Sequence, residues 1–250
     1  MARLFTIRAL LIAAAIGNTP PATAQSGPVL IWPIDPVIAN KERATALWLE
    51  NPGSSPIQFQ LRIFAWSQTA FDEHLAPQSD IVATPPIVRI APGQRQLVRL
   101  TKTQSASPPG ERAYRVIIDE LPPAAEQSAS GARIQFRMRY AIPLFSYGPG
   151  LSPPDASGPS RAEPRLNCAI VTSNGQRFIE IRNEGAGHAR LVDAGFSNDR
   201  EPLARGLLGY VLPGASMRWP LSSSSGSGVL RFAVNGQPQQ SCAPQAGNAP

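Results

Sequence analysis

The chain has 250 residues, 23 Lys and Arg against 17 Asp and Glu for a formal charge of +6, and only 16% of its positions charged. Pro (27) and Gly (20) together fill 47 of the 250 positions, which argues against long helices, and no heptad runs suggest a coiled coil. A hydrophobic share of 42% suffices for a packed core and excludes a wholly disordered chain; the length accommodates one or two domains.

Residues 1–24 open with a basic stretch at Arg3 and Arg8, continue through an apolar run from Ala9 to Ile16, and end on the small-x-small triplet Ala22-Thr23-Ala24. This is the pattern of a secretory signal peptide, with a mature chain starting near Gln25. The apolar run is far shorter than the roughly 20 residues of a membrane span, and no later stretch is apolar enough, so an exported protein without stable membrane insertion is expected. Losing Arg3 and Arg8 lowers the charge from +6 to +4. The remaining basic residues are strewn among apolar runs instead of forming a patch, so no nucleic-acid partner is expected.

From Pro28 to Tyr147 short runs of period two alternate with Pro, Gly, Asn and Ser, the signature of antiparallel sheet. Strands are predicted at Ala44 to Leu49, Ile57 to Trp66, Ile87 to Ile90, Gln96 to Leu100, Tyr114 to Asp119 and Arg133 to Ile142. In the second of these, Ile57, Phe59, Leu61 and Ile63 alternate with Gln58, Gln60 and Arg62, which puts one set on a core and the other in water. Asn51-Pro52-Gly53 and Ala91-Pro92-Gly93 are turn signals at sandwich-like spacing. The segment Pro122 to Ala132, rich in Ala, Ser and Gly, offers little to bury and is expected to be a mobile connection.

Residues 148–164 hold so much Pro, Gly and Ser that they read as a linker. Beyond them, Phe178 to Arg182, Leu191 to Phe196 and Val229 to Val234 are again short strands, with Asn174-Gly175 and Asn235-Gly236 as hairpin turns. The expected fold class is all-β: a signal peptide over 1–24, a β-sandwich domain over 25–147, the linker over 148–164 and a second sandwich over 165–250, each domain near the size of an immunoglobulin-like fold.

Cys168 and Cys242, the only two cysteines, both fall in the second domain. Outside the cytosol thiols tend to pair. A bridge would close a loop of roughly 75 residues, worth about 4–5 kcal/mol on a chain-entropy argument. No catalytic, metal or cofactor site is expected. His74 and His188 lie in different domains without a nucleophile motif near either, and the Cys and His spacing fits no metal site. The carboxylate pairs Asp72-Glu73 and Asp119-Glu120 are strand neighbours that point to opposite faces, and are expected to be solvated surface.

Three stretches carry a family resemblance: ATPPIVRIAPGQRQLVRL (Ala83 to Leu100), ERAYRVIIDELPP (Glu111 to Pro123) and RIQFRMRYAIPLF (Arg133 to Phe145). In this order they resemble the periplasmic pilus-assembly chaperones of the chaperone–usher pathway. The likeness covers the first domain from about Leu30 to Tyr147 and fades in the second, where Asn183 to Gly185 and Gly206 to Ser216 still look related. IWPIDP, ALWLENPG and AIPLF are closer to the archaic, spore-coat-protein-U-associated branch than to the P-pilus branch. The resemblance implies two immunoglobulin-like β-sandwiches in an L or boomerang arrangement, located in the periplasm. It also implies pilus or spore-coat-U-like subunits and an outer-membrane usher as partners, with a self-capping dimer as an option for the free protein.

Such a chaperone lends a strand to a subunit that lacks one, which requires an alternating strand with large apolar residues on the lending face. In Arg133 to Ile142, the residues Ile134, Phe136, Met138, Tyr140 and Ile142 share one face, and Arg133, Gln135, Arg137 and Arg139 the other. Periodicity alone favours an ordinary core face; the resemblance implies a donor face. The Arg and Lys with which the P-pilus branch grips the subunit's C-terminal carboxylate are missing, because Ile34-Asp35-Pro36 and Pro143 stand at those positions. Arg112 or Arg115, at the start of the neighbouring strand, is within reach of the cleft and able to bind a carboxylate; the alternative is that Arg115 packs its stem on the sheet and faces water. An exported two-domain β protein with a structural or carbohydrate-binding role is the rival reading, and an aromatic-lined groove would support it.

Overall fold

The computed structural model describes residues 29–104, 108–122, 136–154 and 161–246. The signal peptide read at 1–24, nearly all of the connection expected to be mobile, and Ile134 of the lending face lie outside these residues. Among the described residues every regular element is a strand, numbered β1 to β18 in chain order. Two stacked sheets form the first domain. One has the order β1 (Leu30–Trp32), β3 (Ala44–Glu50), β8 (Arg95–Lys102), β6 (Ile81–Thr84). The other has the order β2 (Val37–Ile38), β10 (Arg139–Tyr147), β9 (Glu111–Glu120), β4 (Ile57–Thr69), β5 (Asp72–Pro77), with β7 (Ile87–Ile90) also on β4.

The alternation explains this packing. Leu47, Leu49, Val98 and Leu100 point inward from the first sheet and meet Phe59, Leu61, Val116 and Ile118 of the second, all buried, while their strand neighbours point outward. Asn51, fully buried after β3, explains the Asn-Pro-Gly turn. Its side chain donates to the carbonyls of Ser55 (2.8 Å) and Ile90 (3.0 Å) and accepts from Gly53 N–H (3.0 Å), so the turn satisfies itself without solvent.

The second domain repeats this plan. β15 (Ser216–Pro220), β12 (Gln176–Asn183), β11 (Leu166–Ser173) and β18 (Gln245–Ala246) form one sheet, and β14 (Leu207–Val211), β13 (Ala189–Phe196), β16 (Leu230–Val234) and β17 (Gln237–Cys242) the other. Asn174-Gly175 and Asn235-Gly236 turn their hairpins with positive φ at both residues, as expected of Asn-Gly. Asn183 mirrors Asn51, donating to Gly187 and Val211 carbonyls and accepting from Gly185 N–H, so an Asn-x-Gly device recurs at the end of a strand in each domain. Cys168 of β11 and Cys242 of β17 are bonded, with Cα atoms 6.1 Å apart, and tie one sheet to the other.

Two readings of the sequence are corrected. The described ends of the 148–164 stretch are packed: Ala162 is fully buried and Leu151 lies against the second core, so only the composition suggested a bare linker. The strand read as Arg133 to Ile142 is hydrogen-bonded as β10 from Arg139 to Tyr147, starting later and running five residues further. Local alternation persists on both sides of these limits, and pairing with β9 and β2 decides where the strand counts as one.

Candidate functional site

β10 is paired along its whole length on one side, where Arg139 faces Asp119 and Tyr147 faces Glu111 of β9. On its other side, among the described residues, β2 covers only Phe145 and Ser146. The ladder shows which way the backbone groups of β10 face. Glu120 N–H donates to Met138 O at 3.0 Å toward β9, whereas Phe145 N–H donates to Pro36 O at 3.2 Å on the opposite side. Antiparallel alternation therefore turns the backbone groups of Arg139 and Ala141, both exposed, to the uncovered edge. Pro143, buried and lacking an N–H, ends this run, in keeping with prolines being confined to edges. This is an open strand edge with a proline at its inner end.

The apolar face grades from solvent to core along the strand. Phe136 is 77% exposed and Met138 46%, Tyr140 and Ile142 are half-buried against the first core, and Leu144 is fully buried. Tyr140 packs edge-on to Phe59, with centroids 6.4 Å apart, and its burial raises the hydroxyl's pKa against an opposing hydrogen bond from Val29 N–H. Four of the five predicted face residues thus stand in one line, two outside the sandwich and two at its mouth; Ile134 is not described.

The opposite face of the same sheet carries charge. Asp119 pairs with Arg139 and with Arg62 (2.8 Å), which fastens the first residue of β10 to β9 and β4. Burial alone would raise the Asp119 carboxyl; hydrogen bonds and charge from Arg62 and Arg139 outweigh it and hold the pKa below the usual value. Glu120 accepts the Met138 N–H at 3.1 Å. The Asp119-Glu120 pair is therefore a clasp on the start of β10 and not the free surface expected from sequence.

Of the two arginines proposed as anchors, Arg112 pairs with Asp80 (3.1 Å), and the Tyr114 hydroxyl donates to the same carboxylate. Burial pushes the Tyr114 pKa up to about 12. Arg115 lies at the junction of the domains and does not face water. Its guanidinium carbon is 3.6 Å from the Trp66 ring centre and 5.3 Å from that of Tyr210 of β14, and Nη2 donates to Glu73 of β5 at 3.0 and 3.2 Å. Arg190, paired with Tyr210 across β13 and β14, hydrogen-bonds the Tyr210 hydroxyl from the second domain. Burial raises that hydroxyl's pKa against both arginines.

Sequence reasoning missed what holds the junction together. Glu111, its side chain fully buried, accepts His188 N–H (2.9 Å) and meets His188 Nδ1 at 2.9 Å, while the His188 ring stacks on Phe145 at 3.5 Å. Gln68 donates to Tyr210 O (2.9 Å) and accepts from Leu212 N–H (2.8 Å). Nothing local marks these residues, since their partners are remote in the chain, the hydrogen bonds spanning 77 or more positions. The four tryptophans line no shared groove: Trp32 stacks on Trp48 with Arg95 above it, Trp66 is buried at the junction, and Trp219 lies against Gly209.

Two immunoglobulin-like sandwiches, the first with an uncovered strand edge beside the domain junction, define a two-domain all-β protein with one sheet left open on a side. Residues 36–151 match the family described as pili and flagellar-assembly chaperone, PapD N-terminal domain. A chain from the chaperone–tip adhesion subunit pre-assembly complex of the archaic chaperone–usher Csu pili of Acinetobacter baumannii is 30% identical, with 88% of this chain and 100% of that one covered and a TM-score of 0.70. The probable fimbrial chaperone YadV of Escherichia coli K12 is 29% identical over 154 residues, and the chain spans 59% of the length of that curated relative. The Pseudomonas aeruginosa CupB2 chaperone shares the fold at 17% identity, with 86% of this chain and 100% of that one covered and a TM-score of 0.59. The chain belongs to the chaperones of the chaperone–usher pathway, a periplasmic family.

Proposed function

We propose that this chaperone is exported by its signal peptide and binds pilus or spore-coat-U-like subunits in the periplasm by lending them the open edge of β10. Arg139 and Ala141 supply backbone hydrogen-bonding groups to the subunit's sheet, and Ile134, Phe136, Met138, Tyr140 and Ile142 enter its empty pockets. The observation that carries this reading is the uncovered edge in register with the exposed Phe136 and Met138. Burying such side chains contributes about 1.5–3 kcal/mol each. The captured subunit is then passed to an outer-membrane usher, and free chaperone covers its own edge by dimerising.

Arg115 is the better candidate for holding the subunit's terminal carboxylate, because its guanidinium lies between Trp66 of one domain and Tyr210 of the other. The test is the double variant Phe136→Asp with Met138→Asp, followed by thermal stability and by subunit recovery from periplasmic extract. Lost recovery with unchanged melting is expected; a misfolded variant would make this an ordinary core face and end the donor assignment.

A further inference from the structure

Arg115 already holds a carboxylate, and that carboxylate sits on the wrong side for a subunit. β9 runs between β10, with the open edge, and β4; the Arg115 guanidinium crosses β4, lies on Trp66 and reaches Glu73 on β5, the outermost strand of the sheet. Both Glu73 oxygens meet Nη2 alone, at 3.0 and 3.2 Å, and among the described residues no other carboxylate pairs with this guanidinium. The two partners differ in solvation, since the Arg115 side chain is 12% exposed and that of Glu73 42%. A cation this covered needs a counter-charge when the cleft is empty, and a carboxylate this wet can return to water cheaply.

We propose that Glu73 is a built-in stand-in for the incoming carboxylate, a latch that compensates Arg115 in the free chaperone and draws it away from the open edge until a ligand carboxylate displaces it. The proposal rests on the reading of Arg115 as the anchoring cation. Glu73 then tunes selectivity, because a ligand must outcompete a pair of modest strength: exposed ion pairs contribute enough to weaken a competitor by about 2–5-fold. A neutral ligand end gains nothing from displacing the latch.

The test follows the Arg115 Nε–Hε resonance in the 15N-labelled full mature chain during titration with acetate at constant ionic strength, with acetamide as the neutral control. Wild type is compared with Glu73→Gln and Glu73→Ala, two changes at a position exposed enough for the fold to persist. Acetate is expected to move the resonance in all three proteins, with midpoints about 2–5-fold lower in both variants, and acetamide in none. Equal acetate midpoints in the three proteins would overturn the latch and leave Arg115 as the cation. A resonance that acetate moves in none of them would overturn Arg115 as the anchor, and the latch with it.

Discussion

At its C-terminal end β10 buries Leu144, Phe145 and Tyr147 completely, whereas just ahead of its first residue Met138 and Phe136, which continue the line of Leu144, stand in solvent. Alternation is the same throughout; the cover differs. Near Leu144 the first sandwich covers one face of the strand, and near Phe145 and Tyr147 the second domain covers the other. A strand covered on both faces is apolar on both, and a strand end covered on neither keeps its apolar residues only at a cost in solubility. The two ends therefore separate residues that the fold covers, Leu144, Phe145 and Tyr147, from residues that it leaves open, Phe136 and Met138.

Substitutions at the two ends of β10 should act in opposite ways. Phe145→Ala removes a buried ring stacked on His188 and should cost about 4 kcal/mol in urea unfolding; a loss below about 1 kcal/mol would mean that the domains do not need each other's cover. Glu111→Ala leaves His188 without its acceptor at the same junction and should cost about 3 kcal/mol, read in the same experiment and as faster amide exchange in β13. Asp119→Asn loosens the clasp on the start of β10 for about 1 kcal/mol. Because the folded Asp119 carboxyl titrates below its ordinary value of 3.8, its contribution is complete above that value and disappears as pH falls through the lower folded one. Urea midpoints measured down to pH 2.5 should therefore fall less steeply with acid in the Asn variant than in wild type. Smallest of all, Phe136→Asp with Met138→Asp should change the stability of the free protein by no more than about 0.5 kcal/mol.

What was readable beforehand follows the same division. Ile57, Phe59 and Leu61 announced an inward face because side chains alternate along any strand, and Asn174-Gly175 announced a hairpin because Gly, and to a degree Asn, tolerate positive φ. β5 went unread because the turn before it is built from Ala70 and Phe71, also at positive φ, residue types that give no such signal. The family resemblance was legible as motifs, and the shared face of Phe136, Met138, Tyr140 and Ile142 as a period of two. The true start of β10 was not, since it depends on Asp119 and Glu120 closing on Arg139 and Met138 from another strand.

The amino-acid order by itself determined which side chains share a face, where the chain turns, that the two cysteines are close enough in domain membership to pair, and which strand resembles a donor. These are consequences of covalent geometry over a few neighbouring residues. Only the tertiary structure decided that Phe145 is inside and Phe136 outside, that Glu111 meets His188, and that Glu73 holds Arg115. Each of those depends on a partner 42 or more residues away or on a domain that covers one end of a strand and not the other, and no local pattern encodes it.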